Sequence, residues 1–453
     1  MNILAIHTSH DGCMTYVKNN KIVFHTQLDR YNRFKHSTFP VKPVFEIIEN
    51  LKIDKILITS LAAPTLPSTP IWKNMFEKHV KLKNVEIMYS EDRFHHAFHA
   101  YCAMTWNKKI KNILVCDGCG AKYGDSWERE SLFFLNKNLQ HITTESNKIG
   151  YHYECFTKKH FDHELDCGKT MAWSLYDERP AKIQNDFENS MDKLIHQWNL
   201  KGNLHFTGGC AQNVLYNSKL LNRFNNLFCD PFNGDFGISI GAANYFLNGK
   251  LKNDKIYLGI PQDLNLDIFL KHKISNVTPD EVAKVLMNEP VAIFQSRSEQ
   301  GQRGLGNRSL LMNPIHKKAY DKINAIKKRE WFRPFACSIL KEHAKEWFDM
   351  PIDESPYMMY VFKIKKKGIL KTGLSKNNDS RIQTVSKKNN LHYYNLIKAF
   401  NKLTKIPIVI NTSLNLPGEV LVETMHDLKD LFDKSKLNYI YLPEIGKMIK
   451  KNS

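Results

Sequence analysis

The sequence predicts an α/β protein of two domains, and three observations lead there. Short apolar strands alternate with helix-like stretches over the first half of the chain. Glycine-rich turns follow several of those strands, and 453 residues exceed what one ordinary core accommodates.

Asn2-Ile-Leu-Ala-Ile reads as a buried strand that ends in the turn His10-Asp11-Gly12. Residues 13–17 and 21–25, joined through Asn19-Asn20, form an expected hairpin. Residues 56–58 and 113–116 continue the strand series, the second running into Asp117-Gly118-Cys119-Gly120. Residues 41–51 and 95–105 read as helices between these strands. His205-Phe206-Thr207-Gly208-Gly209 and the turn around Asp235 follow, and residues 237–247 read as a helix with small residues on one face. Lys, Asn and Pro gather around Gly259-Ile260-Pro261. The expected organisation is therefore a first domain over 1–248, a linker over 249–279 and a second domain over 280–453. That second domain opens with an expected helix over 279–287 and a strand over 290–295. No internal repeat is visible in the sequence.

Composition bounds the partners. Hydrophobic residues make up 42% and charged residues 25%, the balance of a folded chain. No apolar run is long enough to span a membrane, and the N-terminus lacks the layout of a signal peptide, so the expected location is the cytoplasm. Nine cysteines are scattered, and Cys116-x-x-Cys119 has no second pair to complete a zinc site, which favours a turn. The net charge of +19 predicts polyanionic company. Residues 1–248 hold 29 Lys and Arg against 25 Asp and Glu, so most of the excess lies beyond them. Nucleic acid, the phosphates of small substrates and a solvated lysine-rich surface all accommodate that excess.

His95-His96-Ala97-Phe98-His99 is the first pattern with chemistry in it. On a helix, His95 and His99 share one face and can reach a single ion. Asp117 and Asp235, each in a turn, could add carboxylate ligands, and two histidines with carboxylates suit iron, manganese or zinc. The glycine turns at Asp117-Gly118, Gly208-Gly209 and Gly234–Gly237 bring backbone N–H groups near phosphate oxygens, as in an actin-like nucleotide-binding fold. Arg303-Gly304-Leu305-Gly306-Asn307-Arg308-Ser309 and residues 327–336 combine cations with glycines and a rigid proline, which suits fixed recognition of phosphate. Residues 379–385 and Asn411-Thr412-Ser413-Leu414-Asn415 add polar side chains at expected strand ends.

With these residues in hand, the chain resembles the O-carbamoyltransferases of the nodulation, cephamycin and tobramycin type. The matching segments include His10-Asp11, residues 30–36, His95-His96-x-x-His99-Ala100, Asp117-Gly118-x-Gly120 and Gly168-Lys169-x-Met171. Gly208-Gly209-x-x-x-Asn213, Asp235-x-Gly237, residues 303–309 and 329–336, Gln383-Thr384-Val385 and Asn411-Thr412-Ser413 follow in order.

The resemblance implies an actin-like (ASKHA, threonylcarbamoyl-transferase-like) N-terminal domain and a YrdC-like α/β C-terminal domain. The C-terminal domain would make carbamoyl-adenylate from carbamoyl phosphate and ATP, with Mg²⁺. The N-terminal domain would transfer the carbamoyl group to a hydroxyl, with AMP leaving. His95, His99, Asp117 and Asp235 would hold iron or another divalent metal. His10 or Asp11 would act as base, with Lys35 near the developing charge. Lys169, Gly208, Gly209 and Asn213 would line the nucleotide. Arg303, Arg308, Lys327, Arg333, Ser338, Arg381, Asn411 and Ser413 would bind carbamoyl phosphate and ATP.

The chain departs from that pattern at three places. Pro417 stands where relatives carry an arginine, which would leave its phosphate contact to Lys327, Arg333 or Arg381. Leu28-Asp29 replaces an acidic pair, and the N-terminal domain is shortened between Asp177 and Trp198. An opened acceptor wall and a basic chain suggest DNA as acceptor, through the 5-hydroxymethyl group of cytosine, with a phage-encoded origin. A small hydroxylated metabolite or sugar, a non-catalytic nucleic-acid-binding relative and tRNA threonylcarbamoylation are the alternatives.

Overall fold

The opening strand is buried over its whole length, because all six of its residues face packed layers, and it organises the first of two similar sheets. In the computed structural model, residues 1–37, 42–60, 85–91, 94–106 and 109–452 are described. They divide into two units, Met1–Leu258 and Gly259–Ser453.

In the first unit, β1 (Asn2–His7), β2 (Cys13–Lys18), β3 (Lys21–Gln27), β4 (Lys55–Ser60) and β5 (Glu86–Glu91) form one sheet, in the order β3-β2-β1-β4-β5. β2 pairs antiparallel with both β1 and β3, and β4 and β5 run parallel to β1. β6 (Asn112–Cys116) starts a second sheet. The short strands β7 (Lys122–Tyr123) and β8 (Ser126–Trp127) stand apart from it as their own pair. β9 (Glu130–Asn136), β10 (Asn138–Glu145), β11 (Asn203–Thr207) and β12 (Asn226–Cys229) complete it, in the order β10-β9-β6-β11-β12. Its directions repeat those of the first sheet. Each sheet is thus a central strand with an antiparallel hairpin on one side and two parallel strands on the other. This duplication is the topology expected of an actin-like domain, and it is a repeat that the sequence does not display. The central strands β1 and β6 both open with Asn-Ile-Leu, a match too short to mark a repeat by itself.

Two helices lie between these sheets. The helix His95–Met104 has no β-branched residue and packs Ala100 and Ala103 against Ile113, Val115 and Phe133. The helix Ile238–Phe246 meets it at Gly241, where a Cβ would stand 1.9 Å from the carbonyl oxygen of Phe98. Only glycine permits that approach. The expected helix over 41–51 is Lys42–Glu49, with Val41 outside the described residues.

The second unit holds one mixed sheet of nine strands. These are β13 (Lys273–Asn276), β14 (Val291–Phe294), β15 (Arg308–Met312), β16 (Ala336–Leu340), β17 (Val361–Lys363), β18 (Asp379–Val385), β19 (Ile408–Ser413), β20 (Tyr439–Leu442) and β21 (Lys447–Lys450). Their order is β13-β21-β20-β14-β15-β19-β16-β18-β17. The helix Pro279–Leu286 begins at a capping box, in which Thr278 and Glu281 satisfy each other's backbone N–H groups. Residues 249–279 are not a linker. β13 pairs with β21, and Phe269 is fully buried in the core with Phe294, Leu310 and Phe432. The concentration of Lys, Asn and Pro there marks surface turns on a packed segment.

Candidate functional site

His95 and His99 lie one turn apart on their helix, so both rings leave the same face. Asp117 follows β6 directly, and Asp235 opens the turn that leads into the helix Ile238–Phe246. The close approach at Gly241 brings these elements together. The two histidine Nε2 atoms stand 3.2 Å apart. His95 Nε2 is 3.2 Å from Asp235 Oδ1, and His99 Nε2 is 3.5 Å from the same oxygen and 3.4 Å from Asp117 Oδ2. All four donor atoms lie within 4.8 Å of one another, and all four residues are buried. An ion bound at about 2.1 Å from each donor would set neighbouring ligand atoms about 3.4 Å apart. The four side chains fit such an ion, and two imidazoles with two carboxylates suit iron, manganese or zinc.

Charge within this cluster is already arranged. Burial pulls the His95 imidazole down to about 3 against the pull of Asp235. His99 suffers the same burial, yet its contacts with Asp117 and Asp235 hold it up at about 9. Burial would raise the Asp235 carboxyl, but His10, His7 and His99 keep it well below the usual range.

Around the four stand further polar groups. His10, 42% exposed in its side chain, places Nε2 3.3 Å from Asp235 Oδ2 and Nδ1 4.0 Å from Asp11 Oδ2. Asp11 has a left-handed backbone, φ 54°, and its Oδ1 is 2.6 Å from His36 Nδ1. That contact holds the Asp11 carboxyl low even though burial alone would raise it, so of the two expected bases Asp11 is already engaged. His7, at the end of β1, is fully buried; its Nδ1 is 3.1 Å from Thr59 Oγ1 and its Nε2 3.9 Å from Asp235 Oδ2. It forms a strut behind that ligand.

The expected nucleotide-lining residues are placed differently from one another. Gly208 adopts φ 85°, and a Cβ there would meet the carbonyl oxygen of Cys116 at 2.3 Å. Gly209 N donates to Asp117 Oδ2 at 3.1 Å, so this pair holds a carboxylate of the cluster in place. Lys169 and Lys35 both pair with Asp166, at 2.9 Å and 2.5 Å, rather than pointing as free cations at a reacting group. Asn213 is a structural residue here. It caps the helix Val214–Leu220 by accepting from Tyr216 N at 3.1 Å, and it exchanges hydrogen bonds with Gln184.

In the second unit, Arg303, Lys327, Arg329, Arg333 and Arg381 form a cluster of like charges. Burial and the neighbouring Arg333 and Arg329 bring Arg303 down to about 10. Burial with Arg333 and Arg381 brings Arg329 to about 9. Burial and neighbouring arginines push Lys327 and Arg381 well below their ordinary values. A guanidinium does not deprotonate in a protein, so these shifts measure repulsion that an anion would relieve. Lys327 Nζ donates to the carbonyls of Ser413 and Asn415, each at 2.7 Å, and Arg333 pairs with Glu330 at 3.1 Å. Arg329 donates to Thr412 Oγ1 at 3.2 Å. The side chains of Arg303 and Arg381 have no hydrogen-bond or ion-pair partner among the described residues.

Three expected ligand-binding residues here are scaffold instead. Arg308 is fully buried; it stacks 3.5 Å over Phe294 and donates to the carbonyls of Gln295, Ser296, Asn307 and Glu423. Its guanidinium is spent on backbone. Ser338 donates to Gln383 Oε1 at 2.7 Å, and Asn411 Nδ2 donates to both of them at 3.0 Å. Gln383 in turn donates to the carbonyl of Leu305 at 2.7 Å, so this network braces the Arg303–Ser309 loop from below. Ser413 Oγ donates to Asn415 Oδ1 at 2.7 Å.

Sequence reasoning singles out none of His7, Glu154 and Arg329. His7 carries a usable signal, a second histidine three residues before His10, and Arg329 lies inside the 327–336 stretch. Glu154 has no local motif; only the fold brings it beside Gly118.

Two known families match segments of the chain: "Carbamoyltransferase N-terminus" over residues 189–244 and "Carbamoyltransferase C-terminus" over residues 282–449. An uncharacterised protein of Methanocaldococcus jannaschii is 27% identical over 97% of this chain and 98% of its own length. Nodulation protein NolNO of Sinorhizobium fredii is 35% identical over 56% of this chain, which spans 41% of that longer relative. Among solved structures, the activator of the 2-hydroxyisocaproyl-CoA dehydratase from Clostridium difficile matches with a TM-score of 0.31 at 11% identity. It covers 56% of this chain and 100% of that one, a likeness too low to transfer anything. The chain is thus similar to the carbamoyltransferases over two segments, residues 189–244 and 282–449.

Proposed function

We propose that the protein is an ATP-dependent O-carbamoyltransferase in which each unit performs one half of the reaction. One observation carries this reading: a single chain holds both a two-histidine, two-carboxylate cluster and a cluster of cations, of which Arg303 and Arg381 have no side-chain partner among the described residues. In the second unit, which we take as YrdC-like, Arg303, Lys327, Arg329, Arg333 and Arg381 would hold carbamoyl phosphate and the ATP phosphates. Arg329 and Lys327 take over the contact that Pro417 cannot make. Water hydrolyses carbamoyl phosphate to carbamate and inorganic phosphate, a carbamate oxygen then attacks the α-phosphorus of ATP, and pyrophosphate leaves. The product is carbamoyl-adenylate.

In the first unit, His95, His99, Asp117 and Asp235 would hold the divalent metal, which supplies a Lewis acid to neutralise charge on the adenylate phosphate. His10, half exposed beside the cluster, is the base that takes the acceptor's hydroxyl proton, because Asp11 is engaged by His36. The hydroxyl oxygen bonds to the carbamoyl carbon and AMP leaves. Lys35 and Lys169 position Asp166 at the edge of the site.

The acceptor we propose is the 5-hydroxymethyl group of cytosine in DNA, supported by the net charge of +19. The concentration of that charge beyond residue 248 favours the second reading, a small hydroxylated acceptor, since cations there serve ATP. The test is transfer from labelled carbamoyl phosphate, with ATP, to oligonucleotides containing 5-hydroxymethylcytosine, read by nucleoside mass spectrometry. One carbamoyl gained only when ATP is present supports the whole reading. AMP and pyrophosphate formed without transfer to DNA would keep the enzyme and replace the acceptor. Neither AMP nor transfer would sink the carbamoyltransferase reading itself.

A further inference from the structure

Glu154 lies on the helix Ile149–His160 and turns its carboxylate against Gly118. A Cβ on that glycine would come within 2.1 and 2.2 Å of the two carboxylate oxygens, so the missing side chain is what makes room for them. Gly118 follows Asp117 and donates its N–H to Asp117 Oδ1 at 2.7 Å. Glu154 therefore borders the four-residue cluster without belonging to it. Its electrostatic neighbours are Asp117, His10, Asp235 and Arg129, yet no hydrogen-bond or ion-pair partner reaches it among the described residues. The residue as a whole is only partly buried.

A surface glutamate would turn to water, and a structural one would pair with Arg129. Arg129 instead donates to the carbonyl of Gly118 and stacks 4.5 Å from the Tyr151 ring. Glu154 fits neither case, since its carboxylate lies against Gly118 with no hydrogen-bond or ion-pair partner among the described residues. What it lacks, a bound molecule can bring.

We infer that Glu154 is a specificity-determining residue of the transfer site, accepting a hydrogen bond from an N–H group that the acceptor carries beside its reacting hydroxyl. This rests on the carbamoyl-transfer reading above and narrows its acceptor class. For a pyrimidine, the donor is the exocyclic amine of cytosine, a group that carboxylates recognise and that the oxo-substituted counterpart lacks. A site built to accept from that amine leaves its carboxylate unmatched when the amine is replaced by a carbonyl, so the wrong base is rejected.

The experiment compares single-stranded oligonucleotides carrying 5-hydroxymethylcytosine or 5-hydroxymethyluracil as acceptors for the unaltered protein, E154S and E154Q. Metal content and AMP formation from ATP and carbamoyl phosphate are followed alongside. The unaltered protein should favour the cytosine acceptor by about ten- to a hundredfold in kcat/KM, the scale of one good base contact. E154S should level the two acceptors, and E154Q, which keeps an amide oxygen, should retain part of the preference. Both variants should keep full metal content and AMP formation, which a general structural role would disturb. A preference that survives in E154S, or none in the unaltered protein, overturns the inference and leaves the carbamoyl-transfer reading standing. Transfer to neither base, with AMP still formed, overturns the DNA acceptor and this inference together.

Discussion

The two clusters of this chain are held together in opposite ways. In the first unit, imidazoles and carboxylates already meet one another at 3.2 to 3.5 Å, so opposite charges steady the geometry from within. In the second, like charges crowd together and two of them, Arg303 and Arg381, have no side-chain partner among the described residues. A site for a small cation can be pre-assembled by its own ligands. A site for a polyanion must be held open by scaffold, against its own repulsion, and here Arg308 and the Ser338–Gln383–Asn411 network do that.

The sharpest way to break this comparison is to empty one cluster and watch the other. Replacing His95 and His99 by alanine together should abolish metal binding and reduce carbamoyl transfer by about a thousandfold or more, while AMP formation from ATP persists. Metal analysis and the two half-assays, run side by side, check it; loss of both activities would mean the units are not separable in function. Arg381→Ala should do the reverse. We expect adenylate formation to fall by about a hundred- to a thousandfold with metal content intact, the usual cost of removing one cation aimed at developing charge. Arg308→Ala tests the scaffold assignment. It strands four backbone carbonyls, so it should lower stability by about 2–4 kcal/mol in denaturant unfolding, whereas Arg381→Ala should leave stability equal or higher.

The contrast also explains what could be read from the sequence. His95, His99, Asp117 and Asp235 were legible because a helical i, i+4 pair and strand-end carboxylates leave local patterns. The duplicated sheet was not, because β1 and β6 share only the opening Asn-Ile-Leu, too short a match to stand out as a repeat. In the second unit the motif at 303–309 was visible, yet nothing local separates Arg303, whose side chain has no partner among the described residues, from Arg308, which is bound to backbone five residues later. Both are arginines of one short glycine-containing stretch. Only the strand pairing of β14 and β15, which turns Arg308 inward over Phe294, decides it. Glu154 and Gly118 lie far apart in sequence, and their meeting is a property of the tertiary fold.

A smaller effect concerns the strut behind Asp235. His7 places its Nε2 3.9 Å from Asp235 Oδ2, whereas His95 and His99 approach Oδ1, and it is anchored on Thr59. Its replacement by alanine should weaken metal affinity by about ten- to a hundredfold, as for other groups that orient a ligand without binding the ion. Direct titration of the metal would show it, and unchanged affinity would make His7 a packing residue only.

The smallest effect separates the carboxylates of the first unit from one another. Asp235 is held low by histidines, whereas Glu130, fully buried on β9, is raised by burial to about 7 although it accepts from Asn147 N at 2.8 Å and Ile149 N at 3.1 Å. A carboxyl raised in the folded state binds its proton more tightly there than in the unfolded chain. Its contribution to stability is therefore full below the unfolded value of about 4.5 and is lost as pH rises towards 7. Glu130→Gln keeps a neutral acceptor in place, so unfolding free energy measured between pH 5 and 8 should fall less steeply than in the unaltered protein. The gap at pH 8 should be on the order of 1–2 kcal/mol. Identical pH profiles would show that water or a neighbouring cation compensates Glu130, and that the two kinds of carboxylate in this unit are alike after all.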